Sequence, residues 1–340
     1  MKAFVHFQPD AESDNFEGAR LRKSIKSALE VLGIPYTNSL MDDFDVAHFI
    51  YLEDESVIQE LKERNVPIIV SALYCEDDPC ASYIEYKNKD GERIYTVKPK
   101  TIKFLESVDL ILVPNQPAKD MLAAAGITTR VEICPVGVNF ARFDFSRDDE
   151  KELFYRYFNC EQDKKIALAI GDCSDEIDGL GVIAKAAQIC KDVNFYYLVK
   201  NERGNKLGWK NRRAIKKLKV PHNVVFANLV PDDIYRSALL NADVYLHPGY
   251  KPAGLISIYE AMVAKCQLIV RQQDILEGLA VDQETAYVAS YSETLAGIIK
   301  DYFDGKLKPT INNAYKRVSK NDIKAFGKKI VEFYQEVIKK

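Results

Sequence analysis

The chain has 340 residues, enough for two domains of ordinary size, and its 47% hydrophobic and 29% charged residues are those of a folded globular protein rather than a disordered one. A formal net charge of −3 argues against a general polyanion binder, and no apolar run approaches the ~20 residues that a membrane-spanning helix needs. Seven cysteines, scattered singly, suggest a reducing compartment; Cys75 and Cys80 have neither a second pair nor a histidine nearby, so no metal site is expected.

Met1-Lys2 leads into a strand-like Ala3-Phe4-Val5-His6-Phe7 rather than a signal peptide, which makes cytoplasmic the expected location. A loop follows from Gln8 to Gly18, then a helical pattern from Ala19 to Leu32 that stops at Gly33. Strands are expected at Asp45 to Tyr51 and Val66 to Ser71 with a helix from Glu55 to Arg64 between them, and a strand at Val108 to Pro114 after a helix at Pro99 to Glu106. A helix from Ala118 to Ala125 and a strand from Arg130 to Cys134 complete this half. The acidic stretch Glu76-Asp77-Asp78 to Gly91 reads as a loop. Such alternation of strand and helix predicts a parallel sheet covered on both faces, a Rossmann-like domain over residues 1–145.

A polar segment from Asn139 to Glu150, followed by a helix at Lys151 to Phe158, marks the expected hinge. The alternation then restarts with strands at Lys165 to Gly171, Asn194 to Val199 and Asn223 to Ala227. Helices at Gly181 to Cys190, Lys210 to Leu218 and Asp232 to Asn241 alternate with them. This predicts a second Rossmann-like domain over 146–319, with a final amphipathic helix at 320–340. Its richest stretch is Asn241 to Arg271. A short buried strand at Asp243 to Pro248 runs into the loop His247 to Gly254, an apolar helix at Leu255 to Ala264 and a strand at Gln267 to Val270. That loop lies at the carboxyl end of a parallel sheet, where such sheets bind ligands, and the helix after it offers unpaired N–H groups to an anion. Glu260 is the one charge in the apolar helix. It either lies on an exposed edge or is paired structurally, or it is set to accept a hydrogen bond from a ligand hydroxyl.

Pro248-Gly249-Tyr250, Ile258-Tyr259-Glu260-Ala261-Met262 and the following Leu-Ile-Val strand resemble the sugar-nucleotide site of retaining GT-B glycosyltransferases of family four. The order of Asp42 to His48, Ile68-Ile69-Val70, Glu76-Asp77-Asp78 and Pro135-Val136-Gly137-Val138-Asn139 is similar to that in bacterial glycosyl-diacylglycerol glycosyltransferases. The resemblance implies two Rossmann-like domains facing a central cleft, with the last helix crossing back to the first domain. It implies a UDP-sugar ligand and no metal or other cofactor. Glu260 would hold the donor ribose, while Gly254 and Leu255 would approach the diphosphate or sugar.

Three departures stand out against this family. The first glutamate of its site is replaced by Pro252, and the histidines at the acceptor-side strand end by Ser71-Ala72-Leu73-Tyr74. The phosphate-binding arginine and lysine give way to Asp172-Cys173-Ser174-Asp175-Glu176-Ile177-Asp178 before Gly179. A diphosphate leaving group needs cations, and removing one such donor costs about 3–4 kcal/mol of transition-state stabilisation. Lys251 and Lys200 are the cations placed to substitute. Two readings follow. One is a catalytically degenerate protein acting as partner or stabilising subunit of an active glycosyltransferase. The other is an active retaining hexosyltransferase that moves glucose or galactose from a UDP-sugar to a diacylglycerol glycolipid.

Two basic clusters bear on location. Arg20, Arg22, Lys23 and Lys26 crowd the first turns of the first helix, against its dipole. Lys200 to Lys219 holds nine cations against Glu202, with Trp209, Arg212, Arg213 and Lys216 among its residues. Each is either a solvated face or a surface for anionic lipid or a protein partner, which would put the protein peripherally on the inner face of the membrane. No nucleic-acid motif accompanies them. A homo-oligomer is also open.

Overall fold

The computed structural model of the chain describes residues 1–5, 17–50, 54–72, 83–87, 93–143, 148–171, 173, 179–199, 208–228, 230–249 and 255–339. In chain order the first half contains β1 (Ala3–Val5), α1 (Glu17–Val31), β2 (Tyr36–Thr37), β3 (Val46–Phe49), α2 (Glu55–Glu63), β4 (Ile68–Ser71), β5 (Tyr83–Lys87), β6 (Arg93–Val97), α3 (Pro99–Leu105), β7 (Leu110–Val113), α4 (Gln116–Ala124) and β8 (Val131–Ile133). The 3-10 turn Phe140–Phe143 precedes α5 (Asp148–Phe158), β9 (Lys165–Gly171), α6 (Leu180–Ile189), β10 (Val193–Val199), α7 (Trp209–Lys217), β11 (Val224–Asn228), α8 (Asp232–Asn241), β12 (Val244–His247), α9 (Leu255–Val263), β13 (Gln267–Val270), β14 (Tyr287–Val288), α10 (Ser292–Phe303), α11 (Ile311–Val318) and α12 (Ile323–Ile338).

The described residues divide into two compact units, one holding those up to Asn139 together with those from Asn321 onward, the other those from Phe140 to Lys320. The sequence places the boundary later, at 145. The turn Phe140–Phe143 belongs instead to the second unit, because Phe143 is buried and the Phe140 ring packs edge-on against Tyr315 at 5.5 Å.

The first unit is built on a six-stranded sheet in the order β2-β1-β3-β4-β7-β8, parallel at every pairing. Strands β3, β4 and β7 have no exposed residue, as expected for a parallel sheet covered on both faces. Two aspartates fix the amino edge: Asp45 accepts from the backbone N–H of Lys2 at 2.6 Å and Asp109 from that of Ile68 at 2.7 Å. Each stands immediately before a strand and ties it to its neighbour.

One expectation is corrected here. The segment read as a loop to Gly91 contains β5, which pairs antiparallel with β6 in a separate hairpin, Tyr83 opposite Val97 and Lys87 opposite Arg93. The acidic run before it masks the short Tyr-Ile-Glu-Tyr-Lys strand. Leu73 to Cys80, including Glu76-Asp77-Asp78, lies outside the described residues.

Helix α12 begins at Asp322, whose carboxylate accepts from the N–H groups of Lys324 and Ala325. It buries Ile323, Phe326, Ile330, Phe333, Tyr334 and Val337, one face at helical spacing. Gly327 lets it approach α1: a Cβ there would lie 3.0 Å from the Ala28 carbonyl oxygen and 2.9 Å from Leu32 Cδ1. Gly137 is as tight, since a Cβ would fall 2.4 Å from the Phe326 ring and 2.5 Å from its Cβ. Gly137→Ala should therefore lower unfolding free energy by about 1–3 kcal/mol through overpacking. Urea denaturation reads this out, and an unchanged midpoint would mean that Phe326 relocates without strain.

The second unit holds a six-stranded parallel sheet in the order β11-β10-β9-β12-β13-β14. Asp243 repeats the edge device, accepting from the N–H of Ile166 at 2.8 Å. The order reverses between β9, which continues through α6 to β10 on one side, and β12 on the other. At such a reversal the connections leave in opposite directions and open a crevice at the carboxyl ends of the strands.

Candidate functional site

The reversal between β9 and β12 selects one place in the second unit. Gly179, the residue before α6, has φ of +68° and lies hard against the loop leaving β12. A Cβ on it would sit 2.8 Å from the carbonyl carbon of Pro248 and 2.9 Å from the nitrogen of Gly249. Glycine thus meets two requirements here, left-handed backbone and contact with a neighbouring main chain. The β12 loop is held from its other side. Arg271 Nε donates to the Pro248 carbonyl at 3.0 Å, Arg271 Nη2 donates to the Ser290 carbonyl, and Gln273 Nε2 donates to the Gly249 carbonyl at 2.6 Å. Both residues follow β13, and neither was singled out from the sequence.

Helix α9 starts at Leu255, which is buried, and buries every residue through Val263. Glu260 is 4% exposed. Its Oε2 accepts from the Tyr235 hydroxyl at 2.5 Å and its Oε1 from Arg142 Nη1 at 3.3 Å. Arg142 also donates through Nη2 to Asp232 Oδ1 at 2.6 Å. Of the two sequence readings of Glu260, the structure displays the paired one. A carboxylate so placed presents a fixed acceptor, the group that recognises a ligand hydroxyl. The other donor-side candidates, Gly254, Lys251 and Lys200, lie outside the described residues, as do Pro252, Asp172 and Ser174 to Asp178.

In the first unit Ser71 closes β4 and is 7% exposed. Its hydroxyl hydrogen-bonds His48 Nε2 at 2.6 Å, and Tyr334 of α12 hydrogen-bonds His48 Nδ1 at 2.8 Å. Burial pushes the His48 imidazole down to about 3, so it is neutral. This strand end therefore presents a hydroxyl already engaged by a core histidine. Leu73 and Tyr74 lie outside the described residues.

The two basic clusters differ. The basic face expected on α1 is corrected at Arg20, which is 6% exposed: an arginine is buried only when its charge is paired within the protein. Arg22, Lys23 and Lys26 are half-buried, and burial together with Arg22 lowers the Lys26 pKa. On α7, by contrast, Trp209 is 62% exposed and Arg212, Arg213, Lys216 and Lys217 are all exposed. Among the described residues no helix is long and apolar enough to cross a membrane.

No protein-family model matches the chain. Solved structures do. The chain superposes on the Anabaena protein HepE, solved with UDP and glucose, with TM-score 0.71 and 14% identity over 99% of this chain and 100% of that one. A glycosyltransferase from Rickettsia africae matches with TM-score 0.69 and 15% identity, over 99% and 98%. The fold is that of the GT-B glycosyltransferases. In sequence this GT-B chain is 22% identical over 323 residues to a processive diacylglycerol alpha-glucosyltransferase of Acholeplasma laidlawii, covering 92% of both. It is 20% identical to an alpha-monoglucosyldiacylglycerol synthase of Streptococcus pneumoniae over 82% of its own length, and spans 62% of that relative. The resemblance to glycolipid-synthesising glycosyltransferases, read from the order of motifs between Asp42 and Asn139, therefore extends along the chain.

Proposed function

We propose that this protein is a glycosyltransferase-like component of membrane-glycolipid or cell-envelope glycan synthesis. It retains the nucleotide end of the donor site, has degenerate transfer chemistry, and acts as a partner or stabilising subunit of an active glycosyltransferase. One observation carries the reading. The carboxyl end of β9 borders the crevice that this fold uses for ligands, and the sequence between β9 and Gly179 holds Asp172, Asp175, Glu176 and Asp178 with no cation. Developing negative charge on a departing nucleoside diphosphate finds repulsion from such a loop, and Lys251 and Lys200 are the remaining candidates to offset it.

Glu260 supports the nucleotide end as a fixed acceptor for ribose. The exposed Trp209 beside Arg212, Arg213, Lys216 and Lys217 supports a peripheral position on an anionic inner membrane face. An amphipathic aromatic and a row of cations with no acid on the helix suit the headgroup layer.

The 92% mutual coverage with a processive diacylglycerol glucosyltransferase favours a second reading, an active hexosyltransferase that transfers glucose or galactose to a diacylglycerol glycolipid. Calorimetric titration with UDP, UDP-glucose and UDP-galactose, with and without magnesium, followed by a transfer assay on glucosyl-diacylglycerol vesicles, separates the two. The expected result is binding of a uridine nucleotide without transfer. Turnover by the isolated chain overturns the degenerate reading, and no binding to any of the three removes the donor site altogether.

A further inference from the structure

Packing alone does not call for a carboxylate at position 260. Every neighbour along α9 is buried, and an apolar side chain would fill the space without losing hydration. A carboxyl group with 5% of its side chain exposed needs neighbours that replace the water it has lost. Two segments remote in sequence converge on it to do so. Tyr235, from the first turns of α8, takes one carboxylate oxygen, and Arg142, from the turn Phe140–Phe143, takes the other.

Arg142 is itself fixed. Its second nitrogen is drawn to Asp232 at the start of α8, the adjoining Phe143 is buried, and Phe140 packs on Tyr315. One planar guanidinium thus spans two acids, Glu260 and Asp232, with a bond to each. A lysine ammonium has no fork of this geometry.

We propose that Arg142 is a positioning residue for nucleotide recognition. It fixes Glu260 and sets the plane of its carboxylate, so that Glu260 accepts a ribose hydroxyl of a bound nucleoside diphosphate. The inference rests on the reading that the second unit takes a uridine nucleotide, and it assigns Arg142 no contact with that ligand. A carboxylate whose orientation is fixed discriminates a hydroxyl from a hydrogen. One free to rotate does so poorly.

The test is calorimetric titration of the full chain and its Arg142→Lys and Arg142→Gln variants with UDP and with 2′,3′-dideoxy-UDP, with thermal melts alongside. Wild type should prefer UDP by about tenfold or more, the usual range for a hydrogen bond to a charged group. Arg142→Gln should reduce that preference to within about twofold while affinity for the dideoxy nucleotide holds, and Arg142→Lys should fall between. If Arg142→Gln does not fold, Arg142→Lys carries the comparison. A folded variant that keeps the wild-type preference overturns the proposal alone. So does equal loss of affinity for both nucleotides, which marks a purely structural arginine. A wild type that binds neither nucleotide overturns the donor reading and the proposal with it.

Discussion

Gly179→Ala should unfold at lower denaturant concentration than wild type by the equivalent of about 2–4 kcal/mol. Two terms add. Left-handed backbone costs a non-glycine residue of order 1 kcal/mol, and the new methyl group would lie 2.8 Å from the carbonyl carbon of Pro248. That neighbour is main chain, so it cannot rotate away as a flexible side chain would, and overpacking of this kind costs about 1–3 kcal/mol. The Pro248 and Gly249 carbonyls are also held from behind by Arg271 and Gln273, which resist displacement of the loop. On the proposed nucleotide-binding reading, UDP affinity should fall as well, because the strain is directed at Pro248 and Gly249 where the chain leaves β12. Urea denaturation and UDP titration of the same variant check both parts. A variant that matches wild type in both would show that Gly179 serves neither strand connection. Gly126→Ala supplies the control, since it shares a positive φ of +81° but has no atom within 4 Å of the added Cβ. It should show the backbone term alone.

The sheets were legible because their strands are continuous apolar runs, the pattern that a parallel sheet buried on both faces requires. β9, α8 and β13 run over the residues that the pattern predicts, Lys165–Gly171, Asp232–Asn241 and Gln267–Val270. Glu260 was legible for the same reason in reverse, as the one charge on a helix with no polar face. Its partners were not. Arg142 lies 118 residues away in a stretch that reads as linker, and Tyr235 looks like any aromatic on an amphipathic helix. Local pattern reports the period of burial, whereas a pairing between remote segments depends on where each of them ends. Arg20 shows the same limit, since helical spacing marks it as a surface cation and tertiary contact buries it. Arg271 and Gln273 act through backbone carbonyls, which leave no trace in residue type.

His48 should make the first unit sensitive to mild acid. Its imidazole is fully enclosed, between Ser71 of β4 and Tyr334 of α12, and burial lowers its pKa from 6.5 to about 3. The folded protein thus binds fewer protons than the unfolded chain between those two values. The stabilisation is complete above pH 6.5 and is lost as pH falls, at about 1.4 kcal/mol per pH unit. Between pH 6.5 and pH 5 the loss attributable to His48 is about 2 kcal/mol. The neighbouring Tyr334 reinforces the effect. Burial raises its hydroxyl above its usual range, so it supplies no negative charge to accommodate an imidazolium. His48→Gln removes the titrating group while keeping a donor and an acceptor for the two hydroxyls. Chemical denaturation of both proteins at pH 7.5 and pH 5 isolates the term, because carboxylates elsewhere titrate alike in each. Wild type should lose about 2 kcal/mol more than the variant. Equal losses would mean that His48 exchanges protons with solvent in the folded protein, and that α12 does not seal it against the sheet. The larger loss expected in wild type follows because a protonated His48 between Ser71 and Tyr334 would be a buried charge facing two neutral hydroxyls.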